Sequence, residues 1–97
     1  MNSNYNNPPL IAQTGSYVGN DTANRALPHG LGRAPRALLI VAGSISYLEL
    51  PGNAYIVGQG TTRAVTAMNE TNFYVGNAGS YVQSCNAVGV TYYWAAI

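Results

Sequence analysis

The chain has 97 residues, of which 47% are hydrophobic and only 7% charged, with a formal net charge of +1. This length suits one domain. So little charge excludes an electrostatic footprint for nucleic acid, and so much apolar character excludes a disordered chain. The single cysteine, Cys85, excludes an internal disulfide and a cysteine-built metal site.

In chain order, residues 1–13 form an Asn-rich extended arm. Pro8 and Pro9 fix its path, and Leu10 and Ile11 are its aliphatic anchors. The rest, 14–97, is the domain. Residues 14–18 read as a strand, Gly19-Asn20-Asp21 as a turn, and 22–27 as a returning strand ended by Pro28, which has no N–H to donate. His29 to Pro35 is a loop, since its glycines and prolines forbid a long helix. Residues 36–42 are a continuous apolar run and give a core strand. Residues 44–50 form a strand with Tyr47 on one face, and Pro51-Gly52-Asn53 turns the chain. Residues 54–57, containing Tyr55, are a further short strand closed by Gly58-Gln59-Gly60.

Residues 63–68 alternate, with Arg63, Val65 and Ala67 against Ala64, Thr66 and Met68. Asn69-Glu70-Thr71 turns the chain into a strand at 72–75, and Gly76 to Gly79 turns it again. Residues 81–85 are a candidate short strand. The chain closes on Val90-Thr-Tyr-Tyr-Trp-Ala-Ala-Ile97, rich in β-branched and aromatic residues. Val90, Tyr92, Trp94 and Ala96 fall on one face; Thr91, Tyr93, Ala95 and Ile97 fall on the other. Both faces are largely apolar, so this strand is expected to be central, covered on both sides or buried at a subunit contact, with its end docked. About seven to eight short strands, turn signals between them and no helical stretch predict an all-β fold, an antiparallel β-sandwich.

No catalytic constellation stands out. The chain has one histidine, His29, so several imidazoles could meet only around an oligomer axis. A Cys85–His29 dyad lacks any local signature, and the acids Asp21, Glu49 and Glu70 are far apart in sequence. The glycines at 58–60 lack the Lys-Ser/Thr ending of a phosphate loop. The chain is therefore read as non-enzymatic, with no catalytic residue, cofactor or metal. Eight Tyr with one Trp and one Phe remain the conspicuous feature. Tyr pairs a stacking face with a hydrogen-bonding end, a surface suited to sugars or proteins. Among them Tyr47, Tyr55, Tyr81 and Tyr93, with Leu10, Ile11 and Ile97, are the candidate partner or oligomer contacts. The nearly uncharged surface is poorly protected against association, which points to coverage by copies of itself.

Two blocks carry a resemblance. Thr14-Gly-Ser-Tyr-Val-Gly-Asn20 is followed by Arg25-Ala-Leu-Pro-His-Gly-Leu-Gly-Arg-Ala-Pro-Arg-Ala-Leu-Leu-Ile40. Val65-Thr-Ala-Met-Asn-Glu-Thr-Asn-Phe-Tyr-Val-Gly-Asn77 leads to Asn86-Ala-Val-Gly-Val-Thr-Tyr-Tyr-Trp-Ala-Ala-Ile97. Together they resemble a recurrent bacteriophage virion module of tail-fibre tips and short capsid-surface proteins. The late Phe-x-Val strand with a terminal Trp-x-Ala strand is also similar to the H-type lectin sandwich. The resemblance implies an antiparallel sandwich assembling as a homotrimer, and it carries over no binding site.

The expected function is that of a virion structural protein, a capsid decoration or head-fibre protein, because the chain starts at its own Met and is one domain long. The arm would bind the capsid or another virion protein. The alternative is a receptor- or glycan-binding tail-fibre tip, lectin-like, with a host-surface glycan as partner. No basic n-region precedes an apolar run, and no stretch approaches the ~20 apolar residues of a membrane helix. The expectation is a protein made in the host cytoplasm and placed in the virion, with neither nucleic acid nor membrane as partner.

Overall fold

A computed structural model describes residues 12–43, 45–49, 55–57 and 65–97. The turns expected at 51–53 and 58–60 and the arm up to residue 11 lie outside the described residues. The strands are β1 (Gln13–Val18), β2 (Arg25–Pro28), β3 (Leu38–Ala42), β4 (Ile45–Glu49), β5 (Tyr55–Val57), β6 (Val65–Met68), β7 (Asn72–Val75) and β8 (Thr91–Ala96). Among the described residues there is no helix, and so none long and apolar enough to cross a membrane. The strands form two antiparallel sheets, one ordered β1-β8-β3-β4-β5 and one ordered β2-β7-β6. The fold is all-β and sandwich-like, with one core fed from both sheets.

β8 sits between β1 and β3, as its apolar sequence predicts. It pairs with β1 from Gln13↔Ala96 to Val18↔Thr91. The alternation sends Tyr92, Trp94 and Ala96 inward. Tyr17 stacks on Tyr92 with centroids 5.1 Å apart, and Trp94 meets Phe73 of the other sheet edge-on at 5.2 Å. Gly15 lies opposite Trp94. A Cβ there would come within 2.8 Å of the indole, so only glycine lets the ring lie over β1. Phe73, Val75 and Val65 from the small sheet and Leu38 and Ile40 from the large one complete the centre. Truncating Phe73 to Ala would cost about 3–5 kcal/mol, the usual range for a fully buried aromatic.

Of the two arrangements expected for β8, coverage on both sides does not hold within the chain, because Tyr93 is 60% exposed. Four further expectations need correction. β1 and β2 do not form a hairpin. Residues 19–24 bond instead to the 76–90 connection, through Gly19 N–H to Val90 O (2.8 Å), Asp21 N–H to Asn86 O (2.8 Å) and Asn24 N–H to Gly76 O (2.9 Å). Asp21 and Asn24 take left-handed backbone angles there, φ 54° and 52°, and the chain passes to the other sheet. The alternation of β6 is broken by a register shift between Val65 and Ala67, so Val65 is buried while Ala67 is exposed. Residues 81–85 are turns, not strand. The Ser84 N–H and hydroxyl both bond back to the Ser80 carbonyl, which coils the segment. Finally, Tyr47 is not a surface tyrosine: with Ile40 as its partner on β3 it faces the core and is 3% exposed.

Candidate interaction surface

The outward face of the five-stranded sheet follows from register and alternation. One row runs Ser16, Tyr93, Val41, Ser46; the next runs Thr14, Ala95, Leu39, Leu48; Val18 and Thr91 extend it. Tyr93, Val18 and Leu39 are well exposed, and Thr14, Ser16 and Thr91 lie open beside them. Not one of these ten residues is Asp, Glu, Lys or Arg. A sheet face with aromatic and aliphatic centres, short hydroxyls and no charge can lie against another such face without desolvating an ion.

The other expected contacts fare differently. Ile97 is half-buried, and its backbone is bound: its N–H donates to Ala37 O at 3.1 Å, and its carbonyl accepts from Arg36 N–H at 2.6 Å. The C-terminal residue is thus docked. Tyr81 is half-buried in the coiled turn, where its carbonyl accepts from Asn86 N–H at 2.9 Å. The side chain of Tyr55, and Leu10 and Ile11 altogether, lie outside the described residues.

Beneath the sheet, where β3 ends and β8 begins, Ala42, Tyr47, Val82, Ala87, Val90 and Tyr92 line an apolar cavity of about 120 Å³. Val82 and Val90 are exposed at its rim. The Tyr47 hydroxyl is the one buried side-chain polar atom without a hydrogen bond among the described residues.

The two most reactive side chains, His29 and Cys85, are both buried. His29 is 1% exposed. Its Nδ1 accepts from Leu31 N–H at 3.1 Å, so Nε2 carries the proton and donates to Asn69 O at 2.8 Å. Both ring nitrogens are therefore spent, and three copies could not turn them toward a common metal without breaking these bonds. Burial pushes the Cys85 thiol up to about 12, which keeps it protonated and a poor nucleophile. Neither residue is available for a Cys–His dyad. Among the described residues no three His, Cys, Asp or Glu side chains come together.

Sequence reasoning missed the polar hub at Asn86, which is fully buried. Its amide donates to Asn20 Oδ1 (2.9 Å) and Thr22 O (2.7 Å), and its Oδ1 accepts from Arg25 (3.1 Å) and from Asn20 N–H (3.3 Å). Arg25 also donates to Val18 O at 2.6 Å, and its guanidinium lies 5.4 Å from the Tyr17 ring. The Tyr17 hydroxyl donates to Cys85 O at 2.8 Å. Burial, with Cys85 and Tyr92 adding to it and Arg25 opposing, raises the pKa of Tyr17. Gly76, at φ 98°, packs its backbone against the Thr22 carbonyl. No local pattern marks this site, because its members are more than 60 residues apart in pairs such as Asn20 and Asn86.

Fold and surface together define an all-β protein of two antiparallel sheets with an uncharged sheet face. Comparison with family models, with curated proteins and with solved structures finds no match.

Proposed function

We propose that this chain is a non-enzymatic structural protein of a bacteriophage virion, a capsid decoration or head-fibre protein. Its β-sandwich assembles as a homotrimer through the outward face of the five-stranded sheet. The observation that carries the reading is that face: Tyr93, Leu39, Val41, Leu48, Ala95 and Val18 among short hydroxyls, with no ion to desolvate. Self-association follows from such chemistry more readily than catalysis, because the two most reactive side chains, His29 and Cys85, are buried and both ring nitrogens of His29 are bonded. On the particle, symmetric copies would multiply weak individual contacts through effective concentration. Light scattering tests the association, and a clean monomer at micromolar concentration would refute it. Capsids lacking the protein should lose thermal or osmotic stability; unchanged capsids would refute the decoration role.

A second reading has one observation in its favour. Exposed Tyr93 is flanked by the Ser16 hydroxyl in the same row, a stacking face beside a hydrogen-bonding group. That arrangement suits a glycan as well as a protein. Glycan-array binding that disappears with Tyr93→Ala would favour a lectin-like tail-fibre tip.

A further inference from the structure

We propose that the apolar cavity beneath the large sheet is filled by the aliphatic anchor of the arm, Leu10 or Ile11, from a second copy of the chain. This rests on the self-association reading above and adds to it a specific lock. The cavity walls are Ala42, Val82, Ala87 and Val90 with Tyr47 and Tyr92, and no charged side chain is among them. Its volume is about 120 Å³. An engineered apolar cavity of about 150 Å³ holds benzene, so this one has room for a single branched four-carbon side chain. Exposed Val82 and Val90 at the mouth extend the apolar contact to the backbone that would enter.

The arm supplies the complementary piece. Leu10 and Ile11 are its only branched aliphatics, and the ring-restricted φ of the two prolines before them lowers the entropy cost of docking. The register shows whose arm can reach. The described chain starts beside Gln13, which pairs with Ala96 at the far end of β8. The cavity lies at the other end, by Tyr92, whose partner on β1 is Tyr17. Gln13 to Tyr17 is about 13 Å at ~3.3 Å per residue, and Ala42 lies two strands across, about 10 Å more in the perpendicular direction. The separation is roughly 16 Å. Leu10 sits at most about 10 Å of chain from Gln13, and Ile11 less. Neither can fill its own cavity, whereas the arm of a neighbouring copy carries no such restriction.

The test uses the full chain in two tagged forms. Ile11→Cys in one form and Val82→Cys in the other are mixed under mild oxidation. Ile11→Cys with Ala26→Cys, an exposed site on the small sheet, is the control. The native Cys85 is buried and does not interfere. Inter-chain coupling of 11 to 82 should exceed coupling of 11 to 26 by at least about tenfold. Benzene should compete with it, and Ile11→Asp should weaken association by about ten- to a hundredfold. If the protein still oligomerises but the two couplings run at one rate, this inference falls and the self-association reading stands. If the chain stays monomeric, both fall. An 11–82 disulfide forming within one chain of the double variant at high dilution would also overturn the proposal.

Discussion

Replacing Tyr47 by Phe removes one oxygen from the core and should stabilise the protein. The hydroxyl is buried and has no hydrogen-bond partner. On the scale of protein mutational data, such a group carries about 1–3 kcal/mol of uncompensated desolvation. Part of that is recovered when the ring is kept and the oxygen removed, so a gain of about 1 kcal/mol is expected. For a domain of this size that corresponds to a rise in Tm of about 4–8 °C. The control is the same deletion at Tyr17 and Tyr92. The Tyr17 hydroxyl donates to Cys85 O at 2.8 Å, and the Tyr92 oxygen accepts from Ala87 N–H at 3.0 Å. Tyr17→Phe and Tyr92→Phe each leave a backbone group short of its partner and should cost about 1–2 kcal/mol. Thermal unfolding followed by circular dichroism, on the three variants in parallel, reads the sign directly. A Tyr47→Phe variant that melts below the parent, or three variants that shift together, would refute the reasoning.

Alkaline pH should destabilise the fold. Cys85 moves from an ordinary 9.0 up to about 12, and burial raises Tyr17, Tyr47 and Tyr92 as well. Their folded pKa values lie above the unfolded ones, so the stabilisation is complete below the unfolded value and is lost as pH rises. The unfolding free energy from denaturant titrations should hold to about pH 9 and then fall by up to ~1.4 kcal/mol per pH unit for each group; a flat profile to pH 11 would contradict this. Asn86→Ala strips the hub of its bonds to Asn20, Thr22 and Arg25 and should cost about 2–4 kcal/mol by chemical denaturation. A loss under 1 kcal/mol would mean that water replaces those bonds. Tyr93→Arg puts a charge in the middle of the outward sheet face and should dissociate the proposed oligomer in sedimentation while the chain stays folded by circular dichroism. An unchanged sedimentation profile would place the interface elsewhere.

The all-β class was legible because apolar, β-branched runs such as 38–42 and 91–96 stand between Gly, Pro and Asn turns. The alternation of β8 put Tyr93 on the face opposite Tyr92 and Trp94, but the apolar character of both faces gave no sign that the Tyr93 side would be open. Which strand pairs with which was not. Residues 19–24 look like a tight turn, yet their hydrogen bonds go to residues 76–90, a long-range choice that no local signal encodes. Tyr47 was misplaced for a related reason. Its neighbours on β4 fix only that one face is inward, and the pairing of Tyr47 with Ile40 decides which. Asn86 and His29 read as ordinary loop residues, and burial was set by partners such as Thr22 and Asn69 that lie far along the chain. The β6 register shift hid Val65 behind an apparently regular alternation.

Trp94 is the sole tryptophan, and its indole lies between the backbone of Gly15 and the edge of Phe73. It therefore touches both layers at once. Intrinsic emission from this protein should report one event, the parting of the two sheets, uncontaminated by any second indole. A red shift that precedes the loss of strand signal would reveal a state in which the layers have come apart while each keeps its own hydrogen bonds.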